Sequence, residues 1–168
     1  MREQQIFAVS GVKNSGKTTL IIRLLQLFRE KNITASVIKH DGHDFIPDVP
    51  DTDSYRIRSA GAEGVAVFSD RRMMIIKKCA GISEKELMQA FPDSDVIILE
   101  GFKYSEYPKI EIVRRANSNG PVCDPEYLLG IVTDYGQREL PQEYQHISAY
   151  GLEETERLAE DLLRRFGW

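Results

Sequence analysis

The stretch GVKNSGKTT, residues 11–19, constrains the fold of this chain more than any other feature of its sequence. It matches the pattern Gly-x-x-x-x-Gly-Lys-Ser/Thr, in which backbone N–H groups and a helix N-terminus surround phosphate oxygens. The apolar run IFAVS precedes the stretch, and apolar residues at helical spacing follow it. The sequence therefore predicts a strand, a phosphate-binding loop (P-loop) and a helix, in that order.

The P-loop residues have distinct predicted roles. The glycines allow the backbone to turn its N–H groups inward, Lys17 is expected to reach the β- and γ-phosphates, and the Thr18 hydroxyl is expected to hold Mg²⁺. The residues predicted to bind nucleotide here are Gly11, Asn14, Ser15, Gly16, Lys17, Thr18 and Thr19.

Short apolar runs alternate with helical patterns along the rest of the chain, which is typical of an α/β domain. We predict a mainly parallel sheet flanked by helices, the three-layer α/β/α arrangement of P-loop NTPases, in one domain over residues 1–168. GVAVFS and RRMMIIKK, joined at Asp70, predict an inserted β-hairpin. Ser83 and Glu86 form a predicted capping box, and a final helix is predicted near residues 152–166.

Composition favours a cytoplasmic protein. Apolar residues make up 42% of the chain, and no run approaches the roughly 20 apolar residues that cross a bilayer. We see no export signal, and Cys79 and Cys123 are interpreted as ordinary thiols of a reducing compartment. A net charge of −4 argues against a broad nucleic-acid-binding face.

The run DVIILEG, residues 95–101, predicts the second group that orders Mg²⁺. Glu100 follows a buried-type strand and can hold the ion through a water molecule, although it could also simply end the strand in solvent. The chain contains no Asp-x-x-Gly tetrad, which excludes a switch GTPase of the Ras type.

An unusual polar stretch, residues 37–62, follows the second predicted strand and should lie at the carboxyl edge of the sheet. His40 and His43 could bind a transition metal, but a role in hydrogen bonding or phosphate contact is favoured, since Zn²⁺ usually takes three or four ligands. Asp53 lies just before a predicted helix and can either cap it or orient a water molecule. The other candidates are Lys39, Arg56 and Arg58 for phosphate, and Asp41, Asp48 and Asp51 for Mg²⁺ water or an attacking water.

A basic cluster follows the Glu100 strand, in the segment GFKYSEYPKIEIVRRA. It contains Lys103, Lys109, Arg114 and Arg115. In the strand predicted there, charged and apolar side chains occur on both faces. Three interpretations stay open: a groove for an anionic pterin phosphate, a dimer contact, or a solvated hairpin.

Base choice is predicted at Thr133 and Asp134, which follow the apolar run LLGIV. A carboxylate there can accept hydrogen bonds from guanine, but the chain lacks an Asn-Lys-x-Asp stretch, and the alternative is a turn that ends the strand. The residues alone leave GTP and ATP open.

Together, GVKNSGKTTL, VIKH-x-x-H, DSYRIRSAGA, VIILEGFK, PKIEIVRR and GIVTD resemble the molybdopterin-guanine dinucleotide biosynthesis protein B (MobB) family, up to about Asp134. The resemblance implies a cytoplasmic, GTP-binding, weakly GTP-hydrolysing homodimer. It also implies a role in molybdenum cofactor biosynthesis, assisting the guanylyltransferase, protein A of the pathway, that joins GMP to molybdopterin. Direct contact with molybdopterin is a further expectation.

The hypothesis is thus a Mg-GTP-binding protein in which Lys17, Glu100 and Asp53 are the catalytic candidates, with Asp41 as an alternative to Asp53. Thr18 and Glu100 are the metal candidates, and contacts to phosphate or pterin are expected from Lys39, His40, His43, Arg56 and Lys103. Hydrolysis should be slow, because no obvious glutamine or arginine finger is present. An ATP-dependent small-molecule kinase and a nucleotide-regulated metallochaperone using His40 and His43 are the alternatives.

Overall fold

The computed structural model describes residues 3–42 and 45–168. Its contacts separate into two compact units. The first, called here the sheet unit, comprises Met1–His40 and Leu87–Trp168, and the second, the hairpin unit, comprises Asp41–Glu86. The single-domain organisation stays a prediction.

The sheet unit contains six strands and two long helices among its described residues. In chain order these elements are β1 (Gln5–Gly11), α1 (Lys17–Glu30), β2 (Ala35–Lys39), β5 (Val96–Glu100), β6 (Lys109–Val113), β7 (Leu128–Thr133), β8 (Ala149–Tyr150) and α4 (Thr155–Arg165). The hairpin unit supplies the intervening α2 (Asp53–Ser59), β3 (Gly64–Phe68) and β4 (Met73–Lys77), and α3 (Glu84–Met88) spans the boundary between the units.

All strand pairs in the sheet are parallel, and the strand order is β2-β5-β1-β6-β7-β8. The central strand β1 therefore lies between β5 and β6. Parallel strands end at a common edge, so the P-loop after β1 is flanked by the residues that follow β5 and β6. This topology places the ends of DVIILE and KIEIV on opposite sides of the loop.

Strand β1 is buried on both faces, which explains its nearly continuous apolar sequence. Phe7 and Val9 face a core shared with helices α1 and α4, where Leu24 and Leu158 are almost fully buried. Ala8 faces the opposite side and packs with Ile97, Leu99 and Met88 of α3. The α/β fold class with a parallel sheet and a separate β-hairpin is confirmed.

Strands β3 and β4 pair antiparallel, with Val67 opposite Met74, as the predicted β-hairpin requires. The capping box of α3 is also confirmed: the Ser83 N–H donates to Glu86 Oε2 at 2.9 Å, and the Glu86 N–H donates to Ser83 Oγ at 3.3 Å. The predicted helical cap at Asp53 is wrong, because Thr52 is the N-cap and its hydroxyl accepts the Tyr55 N–H at 3.3 Å.

The last helix begins at Thr155, three residues later than predicted, and the short strand β8 precedes it. Cys79 and Cys123 are both free thiols. Within the described parts of the chain, no helix is long and apolar enough to cross a membrane.

Candidate functional site

The P-loop turns sharply between β1 and α1 because three of its residues adopt left-handed backbone angles. Gly11 has a φ of 139°, Asn14 of 60° and Gly16 of 102°. A Cβ on Gly11 would lie 2.6 Å from the backbone oxygen of Ile112 and 2.8 Å from Ser15 Oγ. Glycine is required at position 11 because neither the backbone angle nor the space accommodates a larger residue.

The Lys17 ammonium group closes over the loop. Its Nζ donates to the carbonyl oxygen of Val12 at 2.8 Å and to that of Gly11 at 3.3 Å. The side chain is therefore held at the mouth of the loop by neutral acceptors, which an anionic ligand can replace.

Glu100 ends β5 beside the loop and is only 7% exposed. Its Oε1 accepts a hydrogen bond from Thr18 Oγ1 at 3.0 Å and pairs with Lys39 Nζ at 3.1 Å. The alternative of a solvated strand end is wrong for Glu100. Thr18, Lys39 and Glu100 come from three different elements and converge as the parallel topology predicts.

Positive charge dominates the rim of the loop. Burial lowers the pKa of Lys17, and the nearby ammonium groups of Lys39 and Lys103 lower it further, while Glu100 opposes them. The charges that act on Lys17 are thus two further ammonium groups and one carboxylate, a balance that favours an anionic ligand.

One buried hydroxyl within the loop has no hydrogen-bond partner among the described residues. Ser15 is 1% exposed and its Oγ is unpaired. Buried hydroxyls are almost always hydrogen-bonded in folded proteins, so the Ser15 hydroxyl is a group that a ligand of this loop could pair with.

Comparison with known proteins gives a family match over the part of the chain that contains the P-loop, Glu100 and Asp134. The family model for MobB, molybdopterin guanine dinucleotide synthesis protein B, matches residues 6–134, from the first strand to the end of the predicted base-reading stretch. The chain belongs to the MobB family.

Relatives in this family align over most of their length. A molybdopterin-guanine dinucleotide biosynthesis adapter protein of Haemophilus influenzae is 33% identical over 134 residues, 77% of this chain and 75% of the relative. The Escherichia coli adapter protein is 33% identical over 123 residues, 69% of each chain. The crystal structure of Bacillus subtilis MobB matches with a TM-score of 0.71 at 26% identity, covering 96% of this chain and 97% of that one.

The predicted base-reading residues of this MobB-family chain lie at the end of β7. Thr133 is buried and its Oγ1 accepts the Tyr135 N–H at 3.0 Å, while Asp134 is exposed. Asp134 Oδ1 accepts the Arg115 backbone N–H at 2.9 Å. The Arg115 guanidinium stacks 4.2 Å from the centre of the Tyr135 ring. Asp134 is thus anchored through one oxygen at the same sheet edge as the P-loop.

The segment after Glu100 is held by Lys109, which is fully buried at the start of β6. Its Nζ donates to the carbonyl oxygens of Phe102, at 3.3 Å, and of Lys103 and Ser105. The ring of Phe102 meets His40 edge-on at 5.7 Å. Lys109 therefore fixes the turn that presents Lys103 and His40, and it is no free phosphate contact.

The interpretation of KIEIVRR as a solvated hairpin is wrong. Strand β6 pairs with β1 and β7, and Glu111 is 1% exposed. Glu111 accepts the backbone N–H groups of Val122 at 2.7 Å and Cys123 at 3.1 Å, and burial raises its pKa. Burial also raises the pKa of the Cys123 thiol to about 12, so this cysteine is not a reactive thiolate.

The remaining predicted contacts lie in the hairpin unit or outside the described residues. Asp53 forms an exposed ion pair with Arg56 at 3.8 Å, and Arg58 stacks on Tyr55. Asp48 Oδ1 accepts the Val49 N–H at 2.8 Å. Asp51 has a φ of 69°, and Asp41 opens the unit.

His43 lies outside the described residues. Elsewhere in the described chain, no three His, Cys, Asp or Glu side chains cluster as metal ligands.

Sequence reasoning included Arg114 in the basic cluster but did not place it beside the P-loop. Arg114 follows β6, and its Nη1 lies 4.0 Å from the position of a Cβ on Gly16. A strand that pairs with β1 must end beside the P-loop, so knowing that β6 pairs with β1 would have placed Arg114 there. Residue spacing does not show which strands pair.

Proposed function

We propose that this chain is a GTP-binding, weakly GTP-hydrolysing adapter protein of molybdenum cofactor biosynthesis. Its relatives are named adapter proteins of molybdopterin-guanine dinucleotide biosynthesis, which supports this role. In this proposal the chain assists the guanylyltransferase that attaches GMP to molybdopterin. The observation that carries the nucleotide part is the Thr18–Glu100 pair, 3.0 Å apart, beside a P-loop with an unpaired buried hydroxyl.

In this proposal the loop amides, the α1 N-terminus and Lys17 bind the phosphate chain. Lys17 would exchange its two carbonyl acceptors for phosphate oxygens, and Ser15 Oγ would gain a partner. Lys39 and Lys103 add positive charge, which supports binding of a triphosphate rather than of an uncharged ligand.

The donor set at Thr18 and Glu100 fits Mg²⁺. A hydroxyl and a carboxylate are the hard oxygen ligands that this ion prefers, with water and phosphate oxygens completing its shell. Glu100 Oε1 forms an ion pair with the Lys39 ammonium group, 3.1 Å away, so the carboxylate is oriented toward a positive charge. When bound, Mg²⁺ would neutralise charge on the β- and γ-phosphates.

For the base, we propose that Asp134, with Thr133 beside it, accepts hydrogen bonds from guanine. Its Oδ1 is anchored by the Arg115 N–H, which supports a fixed orientation of the carboxylate. Replacing Asp134 by alanine should erase a preference for GTP over ATP, as measured by calorimetry with each nucleotide.

Hydrolysis in this proposal is slow, with Lys17 stabilising charge on the phosphoryl group. The orientation of water by Asp53 or Asp41, both in the hairpin unit, stays a prediction. His40 and Arg56 are further candidates for contact with phosphate or pterin. A turnover above about one per second without a partner, near the low end of typical enzymes, would contradict weak hydrolysis.

We also propose a homodimer. The β-hairpin exposes several large apolar side chains, a pattern typical of interaction surfaces: Val67, Phe68, Met73 and Ile75. Sedimentation of the wild type should show a dimer, and a variant carrying Phe68→Ser and Met73→Ser should sediment as a monomer. A monomeric wild type would contradict this part.

The adapter function is tested by reconstitution. The guanylyltransferase, molybdopterin and Mg-GTP are incubated with this chain, and the dinucleotide formed is measured against time. We expect the wild type to raise the yield and Lys17→Ala to remove the increase, whereas Arg29→Met, at the far end of α1, should act as the wild type. Equal yields with and without the wild-type chain would contradict the adapter role.

A further inference from the structure

We propose that Arg114 is a further nucleotide-binding residue, whose guanidinium contacts the α- and β-phosphates. This inference rests on the proposed function and names a contact that the P-loop pattern does not contain. It is carried by the position of Arg114 between the P-loop and β7 and by an unpaired buried nitrogen on its side chain.

The backbone directs Arg114 toward the loop. In the pairing of β1 with β6, Gly11 lies opposite Ile112, so Arg114 comes two residues beyond the end of the paired segment. Ile110 and Ile112 face the core shared with α1, and Arg114 continues their alternation on the same face. The Asn117 and Ser118 N–H groups both donate to the Arg114 carbonyl oxygen, at 2.9 and 2.8 Å, which fixes the turn from which the side chain leaves.

The guanidinium lies at the N-terminus of α1. Its Nη1 is 4.0 Å from the Cβ position of Gly16, the N-cap residue. Its Nε is buried and has no hydrogen-bond partner among the residues that the structure describes. A buried guanidinium N–H without an acceptor is costly, and a guanidinium is well shaped for two phosphate oxygens.

A second unpaired group lies in the same loop. Ser15 Oγ is 1% exposed, also lacks a partner, and lies against Gly11 on the inner side of the turn. These two unsatisfied donors at the start of α1 are explained together by one bound polyanion. Within the described chain, no carboxylate forms an ion pair with the Arg114 side chain.

The order of the strands indicates which phosphates Arg114 contacts. Thr18 and Glu100, the proposed Mg²⁺ groups, lie on the β5 side of the loop, and this ion bridges the β- and γ-phosphates in P-loop proteins. Asp134, the proposed base reader, follows β7 on the other side. Arg114 follows β6, between the loop and β7, so it lies on the nucleoside side of the phosphate chain.

The experiment is a calorimetric titration of GTP and of GDP, each with Mg²⁺, into four proteins: the wild type, Arg114→Met, Arg114→Lys and Arg29→Met. Methionine keeps the apolar stem and removes the charge. Arg29 is a matched control, because it is an exposed arginine in the last turn of α1, about 18 Å along the helix from Lys17.

We expect Arg114→Met to weaken GTP and GDP by the same factor, at least about tenfold, which corresponds to about 1.4 kcal/mol. Arg114→Lys should recover part of the loss, since it keeps a charge without the paired donors. Arg29→Met should bind both nucleotides as the wild type does. Circular dichroism melting of each variant checks folding, and the lysine variant carries the test if the methionine variant is unfolded.

Two results would overturn the assignment of Arg114. Affinities of Arg114→Met within about threefold of the wild type for both nucleotides would show that Arg114 is not a phosphate contact. A loss for GTP but not for GDP would place the guanidinium at the terminal phosphate instead. A wild type that binds neither nucleotide would refute the proposed function itself, which separates that failure from a failure of Arg114.

Discussion

Replacing Gly11 by alanine should strongly destabilise the sheet unit. A Cβ there would lie 2.6 Å from the Ile112 backbone oxygen, in the neighbouring strand, and the φ of 139° is rarely adopted by residues with a side chain. Backbone strain of this kind costs about 1–3 kcal/mol, and overpacking costs about 1–3 kcal/mol more. We therefore expect the free energy of unfolding to fall by about 2–6 kcal/mol, a large part of the roughly 5–15 kcal/mol typical of a domain.

Urea denaturation followed by tryptophan fluorescence measures the unfolding of the sheet unit, which contains Gly11. Trp168 is the single tryptophan of the chain, it packs against the core of the sheet unit, and its ring meets Phe166 at 5.7 Å. Gly16→Ala is the matched control, because Gly16 has a φ of 102° but its nearest neighbour would be 4.0 Å away. Its cost should be the backbone strain alone, about 1–2 kcal/mol. A loss for Gly11→Ala no larger than for Gly16→Ala would refute the close-contact argument.

Three further experiments test other parts of the structure. Leu158→Ala in the almost fully buried α4 core should lower the free energy of unfolding by about 2–5 kcal/mol in urea, and Ile22→Ala, half exposed on α1, by much less; equal losses would contradict the described core. Burial raises the pKa of Glu111 above 4.5, so its contribution to stability is fully present below that pH and is lost as pH rises through the folded pKa. The difference in free energy of unfolding between the wild type and Glu111→Gln, measured in urea, should therefore shrink as the pH rises above 4.5. A difference that does not change with pH would contradict the raised pKa of Glu111. Lys39→Met should change the free energy of unfolding by less than about 1 kcal/mol, because Lys39, which pairs with Glu100, is half exposed. A larger loss in the same assay would mean that this ion pair stabilises the fold.

The order of the main elements was predictable because each carries its signal locally. The P-loop glycines and Lys17 occur in a fixed pattern, and β5 is a short apolar run ending in one carboxylate. Even the α3 capping box is visible as Ser83 and Glu86 three residues apart. Parallel strands end at one edge, so the meeting of Thr18 with Glu100 followed from the fold class.

What the sequence did not reveal depends on pairing between distant segments. Strand β8 has only two residues, Ala149 and Tyr150, and it exists through its pairing with β7. A solvated hairpin was one of three open interpretations for the segment of Lys109 and Glu111, but backbone groups of adjacent turns satisfy both side chains in the interior. Arg114 reaches the P-loop only because β6, rather than another strand, lies next to β1.

Calorimetric titration of Mg-GTP and Mg-ATP into the wild type and Lys17→Ala tests the proposal that the P-loop prefers GTP. We expect the wild type to bind GTP at least about tenfold more tightly than ATP, a difference of about 1.4 kcal/mol, and Lys17→Ala to show no measurable binding. Equal or tighter binding of ATP, or a Lys17→Ala variant that binds GTP as the wild type does, would contradict it.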